Sequence, residues 1–289
     1  MTNQSERPTM VTIDLDNELL QALLVAPHGP LAQLTVLDSV ESTNTFLAQM
    51  FAATAGQLSL PAVVVARDQT GGKGRSGRQW VTPAGSALTA SLMSAAGPPL
   101  AVRSWLPLVA GLAVVTALRS TLGVTAVAKW PNDILVPTQE PDLPGWLHLR
   151  KLGGILVEAV DQETVIIGLG LNVSMNREQL PVATATSLEI IGCQNQDRNM
   201  LLASFAAAYM QILATWREHD WDITDSGLLA ELTAVSATIG AQVRAELTGG
   251  QIIVGTAVGF AGDGGLEVLD EGGETHVIRS GDVYHLRLH

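Results

Sequence analysis

From Gly71 to Trp80 the chain reads GGKGRSGRQW, glycines interleaved with Lys73, Arg75 and Arg78 and closed by an indole. Glycine lets backbone wrap closely around a ligand and expose its N–H groups, while clustered cations repel one another unless an anion lies among them. The loop therefore points to phosphate or carboxylate, with a solvated glycine turn carrying incidental charge as the alternative. KWPND, Lys129 to Asp133, sets a cation, an aromatic ring, a proline and two polar side chains at a strand end. Proline fixes that turn and aims Asn132 and Asp133, although an ordinary strand-to-turn junction has the same make-up. In KLGGILVE, Lys151 to Glu158, a lysine beside two glycines reaches an anion over a glycine floor or, alternatively, guards a strand edge against aggregation. GLGLNVS, Gly168 to Ser174, ends a strand with two glycines and the Asn172 amide, so a flat ligand could approach the backbone there. The spacing is not a dinucleotide fingerprint, because no helix follows and no acidic partner is identifiable.

The elements that must carry these groups alternate between strand and helix. PAVVVARD, Pro61 to Asp68, is a β-branched run that hangs the glycine loop off the end of a buried strand, where α/β proteins bind ligands. Asp16 caps a short helix presenting Leu19, Leu20, Leu23 and Leu24 on one side, and a strand follows near Leu34 to Leu37. Ser42, Thr43 and Asn44 occupy the cap of a helix carrying Phe46, Leu47, Met50 and Phe51. Ala87 to Met93 reads as a strand, Ser104 to Arg119 as a core helix, and Val124 to Lys129 as another strand. Gly154 to Val160 and Thr164 to Val173 form a hairpin around Asp161, Gln162 and Glu163. Between Val136 and Lys151 a proline-rich polar insertion is expected to be a surface loop. Asn199 to His219 has helical spacing and closes a larger domain, residues 1–227. From Leu228 the helical period gives way to short strands with glycine turns, Thr248-Gly249-Gly250 among them. Five strands between Gln242 and Leu288 predict a small barrel over 228–289, whose structural role as a cover weighs at least as much as a chemical one.

Composition narrows the functional classes. The 289 residues are 47% hydrophobic and only 15% charged, which suits one large core with a small satellite. A net charge of −12 argues against duplex nucleic acid as a partner, since counterion release needs a broad basic surface. Single Cys193, read as a core thiol, excludes an intramolecular disulfide and fits a reducing compartment. MTNQSERPTM lacks the basic and apolar blocks of a signal peptide, and Ser104 to Leu118 is too short for a membrane span, so a cytoplasmic protein is expected.

Taken in order, the STN of Ser42 to Asn44, the loop ending in Trp80, KWPND, KLGGILVE and GLGLN resemble the biotin protein ligase family across nearly the whole chain. The resemblance implies an α+β fold: a mixed sheet with flanking helices, related to class II aminoacyl-tRNA synthetases, plus a C-terminal SH3-like barrel. It implies a two-step reaction in which the biotin carboxylate attacks the α-phosphate of ATP, with Mg2+ present. A lysine of a biotin carboxyl carrier domain, of an acyl-CoA or pyruvate carboxylase, then takes the acyl group from biotinyl-5′-adenylate.

On the family pattern Lys151 bridges carboxylate and α-phosphate, Arg75 forms and retains the adenylate, and Asp133 holds magnesium or Lys151. Ser42, Thr43, Asn44 and Gln69 hydrogen-bond biotin, with Gly72, Lys73, Gly74 and Gly154 along its path. Trp80 packs on adenine, and Arg78, Lys129, Asn132, Gly168 and Asn172 contact the nucleotide portion. Lys73 stands where many relatives have arginine, and Ser76 where they have a basic residue. Met1 to Glu41 offers one helix and no basic recognition helix, so a ligase without DNA binding is expected, as a monomer or weak homodimer. A lipoate or octanoate ligase or transferase of the same fold, and a non-catalytic biotin-sensing regulator, are the alternatives.

Overall fold

The computed structural model describes residues 14–286 except 95, 96, 163 and 248. The readings that rest on Met1 to Met10, Glu163, Thr248 and Leu288 fall outside them. In chain order the larger part comprises α1 (Asn17–Leu24), β1 (Gln33–Val40), α2 (Thr43–Ala53), β2 (Ala62–Gln69), the two-residue strands β3 (Gly72–Lys73) and β4 (Gln79–Trp80), and β5 (Ala87–Ser94). It continues with α3 (Leu106–Leu122), β6 (Val127–Lys129), β7 (Asp133–Pro137), β8 (Leu149–Ala159), β9 (Val165–Asn172), α4 (Arg198–Glu218) and α5 (Leu228–Val235). Seven of these strands form one sheet in the order β1-β2-β5-β9-β8-β7-β6, with β1 and β2 parallel and every other neighbouring pair antiparallel.

Alternation along the strands divides the core in two, because successive side chains point to opposite faces. Val63 and Val65 of β2 and Ile167, Leu169 and Leu171 of β9 face the large core with α3 and α4. Ala62, Val64 and Ile166 face α2 and its Leu47. Helix α2 covers only part of its face of the sheet, packing on β2, β5 and β9. Beyond Ile166 the same face carries Gly168 and Gly170, and there the sheet lies open to a cavity.

A second, five-stranded antiparallel sheet follows: β10 (Gln242–Glu246), β11 (Ile252–Phe260), β12 (Leu266–Asp270), β13 (Thr275–Ile278) and β14 (Asp282–His285). Its order is β13-β12-β11-β10-β14, so β13 and β14 are its edges and no closed barrel ladder forms among the described residues. Three indole and hydroxyl contacts seat this sheet on the larger one. Trp105 Nε1 donates to the Gly262 carbonyl at 3.0 Å, Trp130 Nε1 to Gly264 at 3.1 Å, and Ser104 Oγ to Asp263.

Several expectations need correction. Of the four leucines assigned to one side of α1, Leu20 and Leu24 are buried while Leu19 and Leu23 are exposed, since four consecutive-pair positions exceed the stripe an eight-residue helix buries. The core helix starts as a 3-10 turn at Leu100–Trp105 and runs on to Leu122, ending at Gly123 in the left-handed region (φ 64°). That cap consumes the start of the next predicted strand, which begins only at Val127. Leu228, Leu232 and Val235 recur at helical spacing and form α5 against α3, so helix persists past Leu228. Cys193 is only half-buried, at the margin of the large core, with its thiol pushed up by burial.

Candidate active site

The cavity encloses about 290 Å³ over the open part of the sheet, at the small end of the usual ligand range. The side chains lining one end are uncharged, and each has a partner inside the protein. Ser42 caps α2, accepting from the Thr45 N–H at 3.4 Å. The Thr43 N–H and Oγ1 both donate to Gln69 Oε1, at 3.0 and 3.1 Å. Asn44 Nδ2 donates to Glu158 Oε2 at 2.6 Å, and Ser91 Oγ lies 2.7 Å from Thr43 Oγ1 and 2.5 Å from Asn44 Oδ1. Such a network fixes side-chain directions before any ligand arrives, because buried polar groups are costly unless paired.

The two glycines of GLGLN make room for this arrangement. A β-carbon at Gly168 would stand 2.5 Å from Asn44 Oδ1, and one at Gly170 would stand 2.7 Å from the Trp80 ring. They admit the protein's own Asn44 and Trp80 rather than simply baring backbone to a ligand. Gly170 pairs across the sheet with Gly154, extending the floor towards Lys151. At Gly72 the equivalent atom would meet the Trp80 carbonyl at 2.4 Å and Gln69 Nε2 at 2.6 Å, so glycine lets the β3–β4 hairpin fold back over β2.

The other end is charged. Lys73, Arg75, Arg78, Lys129 and Lys151 line the cavity against two carboxylates, Asp133 and Asp282. The loop is short and closed on itself: Gly72 pairs with Trp80, Lys73 with Gln79, and the Gly74 N–H donates to the Arg78 carbonyl at 2.7 Å. Lys73 Nζ donates to Thr45 Oγ1 at 2.9 Å. Arg75 Nη1 donates to Asn132 Oδ1 at 3.4 Å, and the other side of that amide donates to the Ile155 carbonyl at 2.7 Å. Burial depresses the Arg75 guanidinium, with Asp133 next in weight opposing the shift. Lys151 follows a register shift between β7 and β8 and is held by its own backbone to Thr184 and Thr186, at 2.8 Å each. Its Nζ stands 2.5 Å from Asp133 Oδ1 and 5.7 Å from the centre of the Trp80 ring.

Lys129 is 5% exposed, and burial pushes its ammonium down. Asp133 is the strongest opposing influence; Lys151 next to it reinforces the shift. Arg78 pairs with Asp282 of β14, which raises the guanidinium, and β14 thereby closes the cavity with Gly281, Val283 and Tyr284.

Of the residues singled out from sequence, the cavity gathers Ser42, Thr43, Asn44, Gln69, Lys73, Gly74, Arg75, Arg78, Trp80, Lys129, Asn132, Asp133, Lys151, Gly154 and Gly168. Two lie outside it. Gly72 lines an adjoining groove, and Asn172, 4% exposed, donates its amide to the Thr186 carbonyl at 2.9 Å. Asn172 thus secures the segment that backs Lys151. The Trp of KWPND is no ligand wall either: Trp130 is the joint to the small domain. Sequence reasoning missed Trp146 and the β14 residues, which no local pattern marks because they reach the cavity only through domain docking.

The biotin/lipoate A/B protein ligase family pattern matches residues 36–172, and the biotin protein ligase C-terminal domain matches 238–286. Over 278 residues the chain is 35% identical to a biotin--[acetyl-CoA-carboxylase] ligase of Mycobacterium tuberculosis, covering 94% of this chain and 96% of that one. The chain belongs to the biotin protein ligase family. Among solved structures, the Aquifex aeolicus biotin protein ligase in complex with biotin and ATP superposes with a TM-score of 0.69 at 27% identity, covering 89% of this ligase and all of that chain. The bifunctional ligase/repressor of Escherichia coli is 33% identical over 195 residues, 64% of this ligase and 55% of the repressor. The mixed sheet and the small SH3-like unit are therefore the family's architecture. Among the described residues one helical stretch, Leu100–Leu122, is long and apolar enough to cross a membrane, but it is the core helix, mostly buried against the sheet.

Proposed function

We propose that this ligase activates biotin with ATP as biotinyl-5′-AMP and passes the acyl group to a lysine of a biotin carboxyl carrier domain of a cytoplasmic carboxylase. One observation carries the reading: a neutral, prearranged hydrogen-bonding end adjoins five cations in a chain whose net charge is −12. The neutral end, with Ser42, Thr43, Asn44 and Gln69, suits a ligand with few polar groups in an apolar frame. Its carboxylate then points at the cations.

Joining a carboxylate to a phosphate brings two anions together, so the site must neutralise both and stabilise charge growing on the phosphoryl oxygens. Lys151 lies between the ends and takes the bridging role. A biotin carboxylate oxygen forms a bond to the α-phosphorus as pyrophosphate leaves. Arg75, which Asn132 orients, binds the new adenylate, and the hairpin carrying it shields the anhydride from water. In the second step the uncharged amine of the carrier lysine attacks the acyl carbon; AMP departs with the oxygen that came from biotin, and the amine loses a proton. Trp80, set between Gly170 and Lys151, offers a face to adenine.

Magnesium takes one or two carboxylates beside substrate phosphates. Both cavity carboxylates are paired with cations, Asp133 with Lys151 and Asp282 with Arg78, and Asp133 is the less exposed of the two and lies beside Lys129, Lys151 and Arg75. That donor set fits an ion arriving on the nucleotide, with Asp133 as its protein ligand; bound there, the ion supplies further neutralisation of the phosphates. Among the described residues, the cluster of three metal-capable side chains, Asp270, Glu274 and His276, lies in the small domain rather than the cavity.

The test is mass spectrometry of a purified carrier domain incubated with the ligase, biotin, ATP and magnesium. The reading expects one biotinyl group on one lysine, dependent on ATP. Labelling from lipoate instead, labelling without ATP, or biotin binding with no transfer would move the assignment to the lipoate, transferase or sensor alternative respectively.

A further inference from the structure

The insertion between β7 and β8 has no part in the steps above, yet it is built rather than slack. Arg150, 2% exposed at the base of the insertion, donates from Nη1 to the carbonyls of Leu147 (3.0 Å) and Leu149 (2.9 Å) and from Nη2 to Pro141, with Nε 3.3 Å from Glu140. The Nη1 and Nη2 bonds and the ion pair with Glu140 offset the burial of this guanidinium, although Nε itself has no hydrogen-bond partner among the described residues, and Arg150 thereby ties the two arms together. At the tip, the Trp146 and Leu147 N–H groups both donate to the Leu143 carbonyl, at 3.0 and 2.8 Å.

This tip is docked on the small domain. The His285 N–H of β14 donates to the Gly145 carbonyl at 3.1 Å. Gly145 has φ 76°, a left-handed backbone that favours glycine, and a β-carbon there would crowd the Tyr284 ring at 3.1 Å. The next residue, Trp146, enters the cavity with its ring centre 5.1 Å from Lys129 Nζ. Among the described residues no carboxylate forms an ion pair with Lys129. An indole face attracts an ammonium without neutralising it. A lysine held this way meets an incoming polyanion with its charge unspent, whereas one paired to a carboxylate must first be detached.

We propose that Trp146 is a positioning residue that holds Lys129 towards the nucleotide's polyphosphate, and that the insertion makes this grip depend on the docked small domain. The proposal rests on the ATP-dependent reading given above. It is tested by biotin-dependent pyrophosphate exchange at varied ATP and varied biotin, using Trp146→Ala, Trp146→Phe, Lys129→Ala and the double variant Trp146→Ala/Lys129→Ala.

Trp146→Ala is expected to raise the KM for ATP about tenfold with the KM for biotin and the melting temperature unchanged. Trp146→Phe restores most of the loss, and the double variant is no worse than Lys129→Ala alone. An ATP KM within twofold of wild type in Trp146→Ala would overturn the proposal. So would full additivity in the double variant, or equal losses for both substrates accompanied by a lowered melting temperature. A wild-type chain without exchange would overturn the ligase reading and this inference together, while an active wild type beside an indifferent Trp146→Ala would overturn the inference alone.

Discussion

The two ends of the cavity are built on opposite plans. At the α2 end each polar side chain already has a partner inside the protein, down to the Thr43–Gln69 pair and the Asn44–Glu158 bond. At the other end cations outnumber carboxylates, and Lys129 and Arg75 keep depressed basicities because burial strips them of water. A satisfied network imposes shape on a ligand that brings few charges; an unsatisfied one awaits ions that complete it. The first end is expected to set which acid binds, and the second whether it reacts.

That division is broken or sharpened most strongly at Lys151. Lys151→Ala is expected to lower the rate of adenylate formation by about 10²–10³ or more, with circular dichroism unchanged and biotin binding weakened far less than the rate. Rapid-quench measurement of biotinyl-5′-AMP checks it. Loss of biotin binding equal to the loss of rate would erase the distinction between the ends.

The charged end also predicts a dependence of stability on pH. His285, 2% exposed with Nε2 unpartnered, has its pKa pushed down to about 4, by burial first and by Lys129 second. Between about 6.5 and about 4 the unfolded chain binds a proton that the folded chain refuses. Stability therefore falls as pH falls through that window, by about 3 kcal/mol in full. Urea unfolding at pH 7 and pH 4.5 measures it, and His285→Gln is expected to flatten the slope over that interval.

A smaller effect is expected at the neutral end. Gly168→Ala places a methyl group 2.5 Å from Asn44 Oδ1, and moving Asn44 out of its network is predicted to raise the KM for biotin about tenfold with the KM for ATP unchanged. Steady-state exchange kinetics separate the two. The smallest change belongs to Arg78 and Asp282, whose ion pair is substantially exposed on both sides. Asp282→Asn is predicted to alter the KM for ATP by less than about threefold, since exposed pairs contribute about 0–1 kcal/mol.

The neutral end was the more legible in sequence. Ser42 to Asn44 stand where a cap precedes an amphipathic helix, and a β-branched run leads straight to Gln69, so chain order alone brings them to one edge. The glycines of GLGLN were visible too, but their purpose was not: only the register of β9 against β8 and α2 shows that they clear Asn44 and Trp80. At the charged end, Lys129 and Lys151 announce themselves in motifs, whereas Trp146 and Tyr284 do not. Both are brought in by the docking of the insertion and β14, contacts between segments about 140 residues apart that leave no periodic trace. Helix α5 was missed for a different reason. Its stripe of Leu228, Leu232 and Val235 is only two turns long and directly precedes a run of glycine-punctuated strands.

The central claim is that the cationic end brings a carboxylate oxygen onto the α-phosphorus. Biotin labelled with oxygen-18 in both carboxylate positions, turned over with ATP and a carrier domain, tests it directly. The account predicts one labelled oxygen in the phosphate of each AMP released and one retained in the carrier amide. AMP free of label, with carrier biotinylated all the same, would contradict it.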